Sequence, residues 1–391
     1  MANKEKAIFG PEFKEAEVGD IVFLAKDKPL MLDCGKEISN FPVAYQVHGK
    51  LNKDKSNAIL VCHGLTGDQY IASEHPVTGK PGWWENIVGS GKILDTDEYF
   101  VICANVLGGC MGTYGPKSIN PDTGKPIGLD FPVITIGDMV KSQKLLVEHF
   151  GIQKLVSVIG GSMGGMLALE WAVSFPDMVY SSVIIAAAAR HTAQNIAFHE
   201  IGRQTIMADN NWCEGKYLEK KKYPSKGLAV ARMTAHVTYL SESGLQRKFD
   251  RGLQDRDDIT YGFDADFQIE SYLRYQGFSF VQRFDPNSYL YITRAMDYFD
   301  LVEAHEGMLA NAFRDNKTKF CVMSFSSDWL FPTSEARHIV HALSASAAKV
   351  SFVEVETDKG HDAFLLDEPE FTSTLDGFMK GVYEDWEREN A

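Results

Sequence analysis

Gly160-Gly161-Ser162-Met163-Gly164-Gly165 stands directly after the apolar run Leu155-Val156-Ser157-Val158-Ile159 and leads straight into Met166-Leu167-Ala168-Leu169-Glu170-Trp171-Ala172. A short apolar run closed by glycine reads as a buried strand, and the Leu- and Ala-rich stretch behind it reads as a helix. A serine on so tight a strand-to-helix turn needs small neighbours two residues to either side, a need that Gly160 and Gly164 meet. The chemistry this serves is attack by the serine oxygen to form an acyl ester. A glycine turn that merely packs helix on strand would carry the same letters, but the flanking strand and helix favour the nucleophile.

If Ser162 is a nucleophile, an acid and then a histidine should follow at the ends of later strands. Lys319 to Phe325 reads as a buried strand, and Ser326-Ser327-Asp328-Trp329 follows at its C-terminal end, where parallel sheets gather their catalytic groups. Asp328 is the candidate acid, although an aspartate ahead of Pro332 also suits the cap of a short turn. A helical segment, Ser334 to Leu343, and a strand, Val350 to Val355, come next, then Gly360-His361-Asp362, which makes His361 the candidate base. His63 ends the strand Ala58 to Cys62 but precedes the serine, so it takes a structural role. The loop it opens, His63-Gly64-Leu65-Thr66-Gly67-Asp68, is where an oxyanion loop belongs, and the expected donors are the amides of Leu65 and Met163. The order serine, acid, histidine predicts an α/β-hydrolase fold with a mostly parallel central sheet.

The chain has 391 residues, is 45% hydrophobic and 24% charged, and so has the make-up of a globular protein with a large core. A net charge of −14 argues against nucleic acid or anionic membrane surfaces as partners. An anionic substrate must then meet local positive charge. Glu219-Lys220-Lys221-Lys222 offers one such patch, though charge runs ordinarily form solvated faces. No apolar stretch reaches the roughly 18 residues that span a bilayer, and Met1 to Lys6 lacks an apolar signal core, so a cytoplasmic location is expected. The six cysteines show no paired spacing; Cys62, Cys103 and Cys321 sit within strand-like runs, and neither disulfides nor a metal site is expected.

Ile21 to Ala25, Leu30 to Leu32 and Val43 to Val47 read as short strands on the antiparallel edge of the sheet. Ala58 to Cys62, Phe100 to Asn105, Leu155 to Ile159, Ser182 to Ala188 and the runs starting at 319 and 350 have the continuous apolar character of buried parallel strands. Asp138 to Phe150 and Gly165 to Phe175 have helical periodicity. Between about Arg190 and Asn311 the pattern becomes polar and helical, most clearly in Leu228 to Leu240, with no strand before Phe320. Residues 190–311 are thus expected to form an inserted helical lid, and residues 1–189 with 312–391 the catalytic domain.

The chain resembles the homoserine O-acetyltransferase family over nearly its whole length. The resemblance rests on His63 to Asp68, Cys103 to Gly112, Gly115-Pro116 with Ser118 to Pro121, Asp130-Phe131-Pro132, Gly160 to Met166 and Gly360 to Leu365. It implies transfer of an acetyl group from acetyl-CoA to L-homoserine in methionine biosynthesis, with no bound cofactor, in a cytoplasmic homodimer paired through the lid. It implies the same triad, Ser162, Asp328 and His361, and adds Arg232 and Asp362 as the pair that binds homoserine. A guanidinium suits the substrate carboxylate and a carboxylate its ammonium group. Tyr239, seven residues and so two helical turns beyond Arg232, joins them as a binding residue. Relatives that use succinyl-CoA or acylate serine share the triad, and an esterase or thioesterase would need no second substrate. A catalytically dead binding module would not need the triad order at all. The chain departs from the family pattern at Gly137, where arginine is more usual.

Overall fold

The computed structural model describes residues 18–390. The chain lays down β1 (Asp20–Leu24), a hairpin of β2 (Leu30–Met31) and β3 (Glu37–Ile38), then β4 (Phe41–His48), β5 (Ala58–Cys62), the short pair β6 (Val88–Gly89) and β7 (Leu94–Asp95), and β8 (Phe100–Ala104). It then alternates through α1 (Ile136–His149), β9 (Ser157–Gly161), α2 (Met163–Ser174) and β10 (Ser181–Ile185). Helices α3 (Ala193–Met207), α4 (Ser225–Tyr239), α5 (Glu242–Phe249), α6 (Gln268–Val281) and α7 (Pro286–Asp297) intervene before β11 (Lys319–Phe325), α8 (Thr333–Ala345), β12 (Lys349–Val355) and α9 (Pro369–Asn390).

Eight strands form one sheet in the order β1-β4-β8-β5-β9-β10-β11-β12. β1, β4 and β8 pair antiparallel, and the rest of the sheet is parallel. Its parallel strands are covered on both faces, which is why they read as unbroken apolar runs. Leu60, Ile102, Val158, Ile184 and Val322 face a core shared with Met139, Leu167, Trp171 and Ile339 of α1, α2 and α8. Their neighbours Ile59, Val101, Ile159, Val183 and Cys321 point the other way, onto Trp84 and onto Phe371, Leu375 and Met379 of α9. Each such side chain contributes about 1.5–3 kcal/mol by leaving water. Cys62, Cys103 and Cys321 lie buried in β5, β8 and β11.

One strand expectation is corrected. Leu30 and Met31 pair with Ile38 and Glu37 in a separate hairpin and do not join the sheet edge. The turn responsible is tight: Leu32 N–H donates to the Lys36 carbonyl, and Gly35, at φ 80°, donates back to Leu32. Gly137 lies in the first turn of α1, where a Cβ would stand 3.3 Å from Asp33 Oδ2 and 3.6 Å from Glu170 Oε1. Lys141 already supplies the cation there, 2.5 Å from Asp33 and 3.0 Å from Asp138.

The helices from Ala193 to Asp297 leave the sheet after β10 and return to it before β11. Among them α4 lies between α3 and α6 and also packs on the turn Gly360–Leu365 that follows β12. No helix among the described residues is long and apolar enough to cross a membrane. The opening residues, on which the signal-sequence expectation rests, lie outside the described range.

The turn between β9 and α2 holds Ser162 at φ 59°, ψ −126°, a conformation that side chains rarely adopt. It exists because three backbones meet there. A Cβ on Gly160 would stand 2.1 Å from the Gly164 carbonyl oxygen, and one on Gly164 would stand 2.1 Å from the Cys62 carbonyl oxygen of β5. Either contact forces backbone apart, so Gly160→Ala and Gly164→Ala should each destabilise the protein by at least about 1–3 kcal/mol in denaturant unfolding. Unfolding midpoints unchanged from wild type would mean that the turn relaxes freely.

Candidate active site

Ser162, Asp328 and His361 come from the ends of β9, β11 and β12, three parallel strands whose C-terminal ends lie on one edge of the sheet. His361 Nδ1 lies 2.7 Å from Asp328 Oδ2, with both side chains almost fully buried. The other carboxylate oxygen of Asp328 accepts from the N–H groups of Leu330 and Phe331, each at 2.9 Å. The turn-cap reading and the histidine-partner reading of this aspartate therefore hold together, one oxygen each. His361 Nε2 is buried without a hydrogen-bond partner among the described residues. Its ring is enclosed by Phe331, Phe364 and Tyr239, with centroids 5.2, 5.8 and 6.0 Å away.

Burial alone would push the His361 imidazole down, but the Asp328 charge and hydrogen bond, helped by Asp362, outweigh it and leave the ring above its ordinary 6.5. Asp362 is displaced upward too. Burial is the main cause and Asp328 adds to it, against the pull of His361 and Arg232.

Ser162 and His361 share a cavity of about 170 Å³ with Leu65, Arg232, Tyr239 and Asp362. The loop before the serine reaches it as expected: a Cβ on Gly64 would stand 3.8 Å from Ser162 Cβ. The Leu65 and Met163 amides donate to no other group among the described residues. His63 stays behind this loop. Its Nδ1 lies 2.8 Å from the Gly64 carbonyl and its Nε2 accepts from Val106 N–H at 3.1 Å, which makes it a strut between the loops after β5 and β8.

Arg232, on α4, donates to Thr66 Oγ1 at 3.1 Å, and its guanidinium lies 5.4 Å from the Tyr239 ring and 4.9 Å from the Phe280 ring. Of the site residues read from the sequence, Ser162, His361, Leu65, Arg232, Tyr239 and Asp362 thus line one cavity, while Asp328 reaches it only through His361 and Met163 only as the residue after Ser162. The basic run Lys220 to Lys222 does not; it is exposed elsewhere, and Glu219 lies 3.4 Å from Lys125. The cation that sequence reading passed over is Arg283, which lines the cavity and donates to the Thr66 carbonyl at 2.8 Å. A lone arginine in Val281-Gln282-Arg283-Phe284 gives no signal by spacing. A second cavity of about 360 Å³ shares Thr66, Trp83, Arg232 and Arg283 with the first and has Lys80 and His75 in its wall. A chamber of about 30 Å³ opens on Ser162 from the other side, between Leu65, His199, Tyr289 and Phe331.

His191, His199 and Asp297 also cluster, with ligand-type atoms within 4.8 Å of one another. Asp297 Oδ1 faces both imidazole Nδ1 atoms at 3.2 and 2.7 Å, and Oδ2 accepts from Arg203 at 2.6 Å. A carboxylate already neutralised by a guanidinium makes this a polar network tying α3 to α7, and the site chemistry does not call on it.

A Ser–His–Asp set on the strand ends of a parallel sheet, with an amide-bearing loop facing the serine, defines the class of α/β-hydrolases. The family model described as alpha/beta hydrolase fold matches residues 57–368. A homoserine O-acetyltransferase from Rhodospirillum rubrum is 66% identical over 361 residues, 92% of each chain, and one from Caulobacter vibrioides is 61% identical over 360 residues, 92% of this chain and 94% of that one. Among solved structures, homoserine O-acetyltransferase from Bacillus anthracis superposes with a TM-score of 0.84 at 26% identity, covering 92% of this chain and 96% of that one. Esterase E22 superposes with a TM-score of 0.82 at 30% identity, covering 92% and 99%. The chain belongs to the homoserine O-acetyltransferase family, and it is an acyltransferase.

The raised His361 value gives a signed test. The neutral imidazole, the form able to accept a proton, appears only as pH rises through a value above 6.5. Asp328→Asn removes the charge that raises it and leaves burial dominant, so the His361 resonance should titrate at lower pH in the variant when followed by NMR. Equal midpoints in the two proteins would show that Asp328 does not set the charge of this ring.

Proposed function

We propose that the chain transfers the acetyl group of acetyl-CoA to the side-chain hydroxyl of L-homoserine by a two-step acyl-serine mechanism. The observation that carries the reading is the buried His361–Asp328 contact at 2.7 Å, beside a cavity that Ser162 shares with a cation and a carboxylate, Arg232 and Asp362. In the first step His361 Nε2 takes the Ser162 proton as Oγ attacks the thioester carbon. The tetrahedral oxyanion is held by the amides of Leu65 and Met163, and the proton passes from His361 to the departing CoA sulfur. In the second step His361 takes the proton of the homoserine hydroxyl, whose oxygen attacks the acyl carbon. Collapse of that intermediate returns the proton to Ser162 and frees O-acetylhomoserine. Asp328 holds the imidazole tautomer and stabilises the cation that forms twice per cycle. The scheme uses no bound cofactor and no metal.

Arg232 and Asp362 fix the two charged ends of homoserine, its carboxylate and ammonium, and leave the hydroxyl toward the acyl-serine, with Tyr239 walling the site beside the imidazole. Support comes from the electrostatics: Asp362 is held up by burial, a displacement that an incoming ammonium reverses. Residues 190–311 act as the lid that excludes water, and residues 1–189 with 312–391 as the catalytic domain. The apolar, exposed Val230 and Val237 of α4 and Tyr275 of α6 support pairing of two lids in a homodimer. This reading places the protein in the cytoplasm, in methionine biosynthesis.

The esterase reading has a specific observation behind it, the close superposition of esterase E22, and it differs only in the acceptor. Free CoA measured with and without homoserine separates the two. Transfer gives a stoichiometric burst that continues only when homoserine is added, whereas hydrolysis turns over without it. Ser162→Ala should lower turnover by on the order of 10⁴ to 10⁶ with the melting temperature little changed. Mass spectrometry of wild type after brief exposure to acetyl-CoA should place one acetyl group on the Ser162 peptide, and a label on Cys110 instead would overturn the scheme.

For Arg232→Ala the expected loss is about 2–5 kcal/mol in the homoserine KM term, with a near-normal CoA burst because no homoserine is present in that step. Equal damage to both steps would assign Arg232 to the fold or to the donor.

A further inference from the structure

Thr66 is held by the lid from two sides. Arg283, two residues beyond the end of α6, donates Nη1–H to the Thr66 carbonyl at 2.8 Å, and Arg232 reaches the Thr66 hydroxyl at 3.1 Å. Phe280 lies against both guanidinium groups, 5.4 Å from Arg283 and 4.9 Å from Arg232. Neither arginine forms an ion pair among the described residues, although both are half-buried and line the cavity. Removing a cation from water without a carboxylate partner is unfavourable, so its hydrogen bonds become decisive.

Thr66 directly follows Leu65, whose amide is the oxyanion donor in the proposed mechanism. The loop is glycine-flanked, Gly64 on one side and Gly67 on the other, and the Gly64 carbonyl, which shares a peptide plane with the Leu65 N–H, accepts from Gly67 N–H at 3.0 Å and lies 2.8 Å from His63 Nδ1. These bonds orient the Leu65 N–H within its own loop, and the contacts from Arg283 and Arg232 to Thr66 hold that loop from the opposite side; an oxyanion hole works only when its donors are aimed in advance. A planar guanidinium stacked on an aromatic ring is a rigid donor, as a flexible ammonium is not.

We propose that Arg283 is a positioning residue for the oxyanion loop: by holding the Thr66 carbonyl from the lid it aims the Leu65 amide at the acyl carbon's oxygen. The inference rests on the acyl-serine reading and deepens it. Both steps pass through an oxyanion at the same place, so Arg283 acts in both, whereas Arg232 acts on the acceptor. The lid is then part of the catalytic geometry and more than a cover.

The test compares wild type with Arg283→Met and Arg283→Lys in the CoA burst, in steady-state turnover, and in inhibition by a trifluoromethyl ketone analogue of acetyl-CoA, which adds a serine oxygen to give a tetrahedral oxyanion. Arg283→Met should slow the burst and kcat together, by on the order of 10²-fold, with both KM values within about threefold of wild type. Ketone affinity should fall in parallel, and Arg283→Lys should recover part of all three. A homoserine KM raised more than about tenfold with a normal burst would make Arg283 an acceptor-binding residue and overturn the proposal. An acetyl-CoA KM raised by as much with kcat kept, or ketone affinity unchanged while kcat falls, would overturn it equally. If Arg283→Met fails to melt cooperatively, the lysine variant decides by a partial fall in all three readouts against none. A wild type with no burst sinks the acyl-serine reading itself, and a normal wild-type burst with Arg283→Met unaffected sinks only the inference.

Discussion

The serine at φ 59° depends on a place where β5, β9 and α2 approach backbone to backbone. Parallel strands and a following helix can come this close only where side chains are missing, and that is why glycine occupies Gly160 and Gly164. The strain at Ser162 is sustained by the packing around it, since β9 is flanked by β5 and β10 and its apolar residues are buried on both faces. From this point the site geometry follows. The turn aims Ser162 off the sheet edge, and the strands two and three positions further along the sheet carry Asp328 and His361 to the same edge.

The electrostatics of the site are those of groups kept from water. His361 is pushed down by burial and lifted back above its usual range by Asp328, so a single carboxylate, itself anchored by two backbone N–H groups, decides the charge of the imidazole. Asp362 lies high because burial is not fully compensated, and Arg283 is lowered by burial and by the second guanidinium beside it. Such groups are unfavourable to keep in an empty cavity.

Much of this was legible in the sequence because local rules govern it. The elbow glycines, the continuous apolar runs of the parallel strands and the order serine, acid, histidine each follow from backbone sterics or strand burial, which act over a few residues. The misread stretch was the Leu30 to Leu32 run, where a turn at Gly35 folds a pair of residues into its own hairpin; two residues are too few for alternation to reveal the sheet they join. Arg283 went unread for another reason. Its partner is a main-chain carbonyl of Thr66, 217 residues away, and a backbone acceptor leaves no mark in the letters of either segment.

The sequence by itself determined the fold class, the nucleophile turn and the candidate triad, since each is written as residue type and spacing along one strand-turn-helix unit after another. Only the tertiary structure decided that Asp328 serves a turn and His361 with separate oxygens, that the Lys220 to Lys222 run lies away from the site, and that Arg232 and Arg283 grip the loop facing Ser162. These are matters of distance between segments far apart in the chain, set by how the helices after β10 pack back over the sheet edge, and local periodicity carries no information about them.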